Sequence, residues 1–349
     1  MHWFLALSFA LVALAGLPSR SSQTDLPQAK AGLTRPELAR YEAVEPHMGT
    51  LVRITVYAPS ERVAQSAFGA AFDRIRALDD ILSDYRPDSE LNHVSKTAVG
   101  RAVPVSEDLF AILARSQELA EATGGAFDIT QGPAIRLWRE ARKSARVPDP
   151  AAVHEAATRS GFRKLHLDAA RRTVMFDMAG MALDVGAIGK GYAASAAIEV
   201  IDGLGVSSAL VALSGDLAFS DAPPGQRGWR IGVHSGDPSI VSVPRVLELT
   251  NAAVSTSGSS EQHLDIDGRR YSHIIDPSSG MGLVVDITVT VIARHGLDAD
   301  GLDTAISVLG ADRGLALIES RPDASALIIQ RTSVGTTVLT SSRFPARLR

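Results

Sequence analysis

Apolar residues alternate with polar ones along Gly49–Ala58 (GTLVRITVYA), a run rich in β-branched side chains that predicts a strand. After Pro59-Ser60 the period changes. Val63, Ala67, Ala71, Ile75, Leu78 and Leu82 recur every three or four residues, the spacing of one helix face, with Ser60 where a cap belongs. Ser106, followed by Glu107 and Asp108, opens a second helix that stops at Gly124-Gly125. Lys164–Asp168 and Thr173–Asp177 alternate around a short turn and predict a hairpin, and Met181–Val185 is a further short apolar run. An Ala-rich helix from Tyr192 to about Asp202 comes next. Strands are then predicted at Ala209–Leu213, Trp229–Val233, Ala253–Thr256, Tyr271–Ile275 and Asp286–Ala293. Helices at about Ala299–Leu309 and Ala311–Glu319 precede two closing strands, Ala326–Gln330 and Thr336–Thr340. Helices and strands do not alternate regularly, so the pattern predicts an α+β fold with mixed, mainly antiparallel sheets and packed helices. No linker after residue 45 is long enough to divide the chain, which reads as one catalytic domain over residues 41–349.

The first residues depart from this pattern. Phe4–Gly16 (FLALSFALVALAG) is apolar but short for a bilayer span, and Ala13-Leu14-Ala15 offers a small-x-small cleavage site. Residues 1–15 therefore read as a signal peptide, or as an uncleaved anchor because no Lys or Arg precedes the apolar run. Residues 16–40, rich in Ser, Pro and Gln, read as a flexible tether. The expected location is the exported, periplasmic or cell-envelope side of the inner membrane. The rest of the 349 residues has ordinary globular composition, with 45% hydrophobic residues. A net charge of −4 without a basic run argues against nucleic-acid binding. The absence of cysteine excludes disulfides, thiolate catalysis and a lipid anchor on cysteine.

Several segments carry side chains suited to chemistry. Asp184-Val-Gly-Ala-Ile-Gly-Lys190-Gly191 is read as lying between a strand and a helix, where glycines admit a ligand close to the backbone and free N–H groups favour an anion. It is neither a P-loop nor a dinucleotide fingerprint, and a plain tight turn explains it equally well. Asp300 and Thr304, four apart on one helix face, offer hard oxygens for Mg2+, although acidic residues at a helix start also serve as caps. His273, beside Asp276, could act as a base or be a satisfied structural histidine. Ser255-Thr-Ser257-Gly258 gathers hydroxyls at a strand end, for phosphate binding or merely for a turn. Gly125-Ala126-Phe127-Asp128 could bring an aromatic face and an acid to a heterocycle, or simply end a helix.

Taken in order, these segments resemble the FAD:protein FMN transferase family, the ApbE-type flavin transferases. The resemblance runs from His47-Met48-Gly49-Thr50 to about Glu319. It passes through Ser83-Asp-Tyr85, Asp88-Ser-Glu90-Leu91, Thr123-Gly-Gly-Ala-Phe127-Asp128, Leu183–Ala193, Ser214-Gly-Asp216, Trp229–Gly232, Ser255–Gly258, Ser272–Pro277 and Ala299-Asp300-Gly with Thr304-Ala305. It implies that Met48, Ala126, Phe127, Asp128, Asp184, Lys190, Ser257 and Ile274 serve FAD, and that the Ala187 carbonyl, Asp300 and Thr304 bind Mg2+. It also implies that the FMN half of FAD passes to a Thr or Ser hydroxyl in a motif of an acceptor redox protein, with AMP leaving. His273 or Asp300 would take the proton. Where relatives often carry Gly-Gly-Glu or Gly-Gly-Asp, this chain has Ser214-Gly-Asp216, and Asp303 adds a carboxylate to the metal motif. A Mg2+-dependent FAD pyrophosphatase and a non-catalytic FAD carrier of the cell envelope are the alternative expectations.

Overall fold

The computed structural model describes residues 37–233, 246–258, 263–266 and 268–345, so the predicted leader and nearly all of the tether lie outside the described residues. The chain begins with β1 (Ala39–His47), β2 (Thr50–Ala58), α1 (Glu61–Leu82), α2 (Glu90–Thr97), β3 (Val103–Pro104) and α3 (Glu107–Thr123). It continues with α4 (Gly132–Ser144), α5 (Pro150–Thr158), β4 (Leu165–Asp168), β5 (Thr173–Phe176), α6 (Gly189–Gly203), β6 (Ser208–Leu213) and β7 (Asp216–Phe219). Then come β8 (Trp229–Gly232), β9 (Val246–Leu249), β10 (Ala252–Gly258), β11 (His263–Ile266), β12 (Arg269–Ser272), β13 (Ile275–Asp276) and β14 (Met281–Gly282). The chain closes with β15 (Asp286–Ala293), α7 (Gly296–Leu309), α8 (Ala311–Glu319), β16 (Ala324–Thr332) and β17 (Gly335–Thr340).

The expected α+β architecture is present. Eight strands form one sheet in the order β1-β2-β6-β7-β10-β15-β16-β17, and every neighbouring pair is antiparallel. Alternation along β6 supplies both faces. Ala209, Val211 and Leu213 join the main core under α1, α6 and α7, while Leu210 and Ala212 face the β8–β9 hairpin through Trp229, Ile231 and Leu247. On α1 the predicted stripe is buried from Ala67 to Leu82, with Val63 half-buried at its start, and it also takes in Ala64, Phe68 and Phe72. Each large side chain there contributes roughly 1.5–3 kcal/mol by leaving water. Leu78→Ala, at a fully buried position, would cost about 2–5 kcal/mol. Small residues let α6 sit close, with Ala193, Ala194, Ala196 and Ala197 all buried against α1, α7 and the sheet.

The expected caps form. The Val63 N–H donates to Ser60 Oγ at 3.4 Å, the Leu109 N–H donates to Ser106 Oγ at 3.2 Å, and Gly124 ends α3 in the left-handed region at φ 63°. One predicted strand breaks. Tyr271–Ile275 bends at His273-Ile274, because Ser272 Oγ accepts the Ile274 N–H at 3.2 Å and diverts the backbone from the ladder. Helices α2, α4 and α5 carry no counterpart in the sequence pattern. Among the described residues no helix is long and apolar enough to cross a membrane.

Candidate functional site

Two tight turns mark one end of the sheet. His47 pairs with Thr50, so Met48 and Gly49 form a two-residue hairpin turn with φ 49° and 72°, the doubly positive geometry that suits strand twist. Leu213 pairs with both Val52 and Asp216, which places the Ser214-Gly215 turn at the same end. Ser214 holds φ 58°, a region that favours glycine.

Next to that end, the first turns of α6 and α7 meet at backbone distance. A Cβ added to Gly191 would stand 2.1 Å from the Gly296 carbonyl oxygen, so neither glycine can be replaced without moving a helix. No side chain caps α6 from its own N-cap residue, Ile188. Asp300 of α7 does so instead, accepting the Gly191 N–H on Oδ2 at 2.9 Å. The predicted metal ligand is thus also the cap of a different helix.

Lys190, also in the first turn of α6, forms an ion pair with Asp216, the first residue of β7. Ser255 faces Asp216 across the strands, and its Oγ lies 2.5 Å from Asp216 Oδ1 and 2.6 Å from Asp303 Oδ2. A hydroxyl has one proton to give, so one of these carboxyls must carry a proton and donate it to Ser255 Oγ. The electrostatics point to Asp303. Burial first, then the negative charges of Asp300 and Asp216, push it well above the ordinary carboxylate range. Burial and Asp216 raise Asp300 to about 7 against the pull of Lys190. Burial disfavours the Lys190 ammonium, but Asp216 and Asp300 more than offset this and hold it protonated. Thr304 Oγ1 donates to Asp303 Oδ1 at 3.2 Å, and Ser257 Oγ lies 3.2 Å from Ser307 Oγ.

Asp184 stands on the opposite flank of the 184–190 loop. Its Oδ1 accepts the Gly186 N–H at 2.9 Å and its Oδ2 pairs with Arg139 of α4 at 2.8 Å. Arg139 also pairs with Asp84, and its guanidinium lies 4.4 Å from the centroid of the exposed Tyr85 ring. Burial and Asp84 raise Asp184, and Arg139 moderates the effect. Helix α4 further anchors the segment carrying His273 and Ile274. Trp138 Nε1 donates to the Gly280 carbonyl at 2.8 Å, and its ring lies 5.2 Å from that of Tyr271. His273 is exposed and Ile274 is buried.

A cleft of about 400 Å3 opens along Gly124–Ala126, Asp128, Gln131 and Asp276–Ser278. Asp128 accepts the Thr130 N–H at 2.8 Å and the Phe162 N–H at 3.0 Å, which fixes its wall. Burial raises its carboxyl above the ordinary range. Phe127 is 2% exposed and packs in the core, and it is not among the residues that line the cleft. Gln131, buried on the cleft wall, has an Oε1 that accepts no hydrogen bond. Sequence reasoning missed Gln131 and Arg139, which carry no spacing signal of their own, and named Asp216 only as part of the Ser214-Gly-Asp216 segment without giving it a role. Gln117, Phe162, Arg163 and His166 line a second hollow, of about 500 Å3, that holds none of the predicted residues.

The donor set suits a hard cation, with carboxylate and hydroxyl oxygens of Asp300 and Thr304 beside carboxyls that repel one another. Among the described residues no group of three or more His, Asp or Glu side chains is placed to hold a metal ion. A cation there would draw on backbone, water or substrate oxygens, as Mg2+ does.

This fold is shared with solved flavin transferases. A flavin transferase ApbE from Vibrio cholerae superposes with a TM-score of 0.79 at 27% identity, covering 88% of this chain and 98% of that one. The apo flavinyl transferase ApbE of Pseudomonas stutzeri gives 0.75 at 30% identity, covering 87% and 95%. Fold and site thus define an enzyme of the flavin transferase class. The chain belongs to the ApbE family, whose model matches residues 48–328. Among curated relatives, a FAD:protein FMN transferase of Treponema pallidum is 35% identical over 311 residues, 84% of this chain and 86% of the relative. One from Klebsiella pneumoniae is 30% identical over 288 residues, 81% and 82% of the two chains.

Proposed function

We propose that this protein is a Mg2+-dependent FAD:protein FMN transferase that moves FMN from FAD onto a threonine or serine hydroxyl of an acceptor redox protein. The observation that carries the reading is the group of Lys190, Asp216, Asp300 and Asp303 where the first turns of α6 and α7 meet.

The heterocyclic parts of FAD would lie against the backbone of Ala126-Phe127-Asp128 and near Met48 and Ile274. Its pyrophosphate would face the α6 start, where N–H groups and the Lys190 ammonium favour an anion. The Ala187 carbonyl, Asp300 and Thr304 would hold Mg2+, which when bound supplies charge neutralisation for the pyrophosphate. The acceptor hydroxyl oxygen forms a bond to the FMN-side phosphorus while the bond from that phosphorus to the AMP oxygen breaks. The hydroxyl proton passes to His273, or alternatively to Asp300, and AMP departs with the bridging oxygen. Asp184, clamped by Arg139, would keep the loop in the shape that receives the phosphates.

The apolar run Phe4–Gly16 supports export to the periplasmic side of the inner membrane, with a cleaved leader or an anchor. Mixing the protein with FAD, Mg2+ and an acceptor domain, then reading in-gel flavin fluorescence and acceptor mass with and without EDTA, tests the whole reading. EDTA-sensitive gain of one FMN on the acceptor is the expected result. Free FMN and AMP with an unmodified acceptor would make the protein a pyrophosphatase, and bound, uncleaved FAD would make it a carrier.

A further inference from the structure

Asp216 has no part in the chemistry above, yet both of its oxygens are committed at the site. Oδ2 takes the Lys190 ammonium and Oδ1 lies 2.5 Å from Ser255 Oγ, with the carboxylate only 4% exposed. The two partners hold it from different elements, α6 and β10, and β7 itself begins at Asp216, so neither the carboxylate nor its backbone is free to swing. Lys190 is different. Its side chain is 31% exposed and has four rotatable bonds, so without an anchor its ammonium would spread over many positions. A point charge serves a phosphate only if it is already in place when the ligand arrives.

We propose that Asp216, oriented by Ser255, is the positioning residue that fixes the Lys190 ammonium for the FAD pyrophosphate, and that its charge matters more than its shape. The proposal rests on the reading of Lys190 as a phosphate ligand and makes Asp216 act through Lys190 alone. It also gives the last residue of the Ser214-Gly215-Asp216 segment a duty distinct from making the turn.

The test uses the full-length protein and its Asp216→Asn, Asp216→Glu, Ser255→Ala and Lys190→Ala variants, with the Asp216→Asn/Lys190→Ala double variant. FAD affinity is read from flavin fluorescence, KM and kcat from FMN transfer, and folding from thermal melting. Asn is the closer match in shape and Glu the closer match in charge. Positioning by charge therefore predicts that Asp216→Asn weakens FAD binding about tenfold, raises KM with a smaller effect on kcat, and is partly rescued by Asp216→Glu. In the Lys190→Ala background the added effect of Asp216→Asn should vanish. Ser255→Ala should weaken binding about threefold, and supplies the answer should the Asp216 variants fail to fold. Better binding by Asp216→Asn than by Asp216→Glu, independent effects in the double variant, or unchanged binding in Ser255→Ala would each overturn the proposal. Should wild type bind FAD without transferring FMN, the binding arms still decide the role of Asp216, while the transferase reading alone falls.

Discussion

The two polar clusters that flank the 184–190 loop are built from the same kinds of residue and behave oppositely. On the α4 side, Asp84, Arg139 and Asp184 form a short ladder in which the guanidinium serves both carboxylates and stacks on Tyr85. On the α7 side, Asp216, Asp300 and Asp303 crowd round the Lys190 ammonium, and burial plus mutual repulsion raise Asp300 and Asp303. The first cluster carries one carboxylate more than its guanidinium and holds a loop in shape. The second reaches the same balance only by keeping the proton of Asp303, so it contains carboxyls that a further cation would help to ionise. That latent imbalance, rather than burial itself, distinguishes it from its neighbour.

The comparison breaks most readily at Asp300. Asp300→Asn keeps an oxygen for the Gly191 N–H but removes a charge, so FMN transfer should fall on the order of 100-fold or more while the metal-free protein becomes no less stable. Transfer at wild-type rate would show that the imbalance has no function.

The second effect lies in pH. Because the folded-state value of Asp300 is raised to about 7 from 3.8, the native protein binds more protons than the unfolded chain between those values. Asp303 is shifted in the same direction. Metal-free stability should therefore be greatest below about pH 4 as far as these groups are concerned, and fall by a few kcal/mol as pH rises through about 7. Added Mg2+ should flatten that fall. Urea unfolding at stepped pH, with and without the ion, measures it, and a profile that is flat in EDTA would count against the repulsion.

At the Arg139 cluster the expectation is for stability instead. Arg139→Ala leaves Asp184 buried beside Asp84 without its cation and should cost about 2–3 kcal/mol in chemical denaturation. Mg2+ should restore none of it, since the loss lies outside the group proposed to hold the ion. The smallest effect is at Ser214, where φ 58° is strained for a residue with a side chain. Ser214→Gly should stabilise the protein by about 0.5–1 kcal/mol in thermal or urea melts with transfer unchanged.

Much of the sheet was legible because its strands alternate locally and its turns carry their own chemistry. The stripe on α1, the caps at Ser60 and Ser106 and the stop at Gly124 all depend on residues within a few positions of one another. Helix α4 was not legible. Gly132-Pro133 reads as punctuation, and the stripe of Ala134, Trp138 and Ala141 is too thin to announce a helix whose partners lie elsewhere. The break at His273 was hidden as well, since a strand pattern does not reveal that Ser272 will bond the backbone two residues on.

The sequence by itself determined the α+β class, the family to which the chain belongs, and Lys190, Asp300 and Thr304 as candidates, because periodicity and short motifs are local properties of the chain. The tertiary structure alone decided that Asp300 caps α6 through the N–H of Gly191, 109 residues away, that Ser255 bridges Asp216 to Asp303, and that Arg139 clamps Asp184. The first two of those contacts depend on two glycines letting the first turns of α6 and α7 touch and on the register of β7 against β10. Burial then sets the charge state of each carboxyl. Dielectric environment and distance are properties of the packed chain, and no spacing in the sequence encodes them.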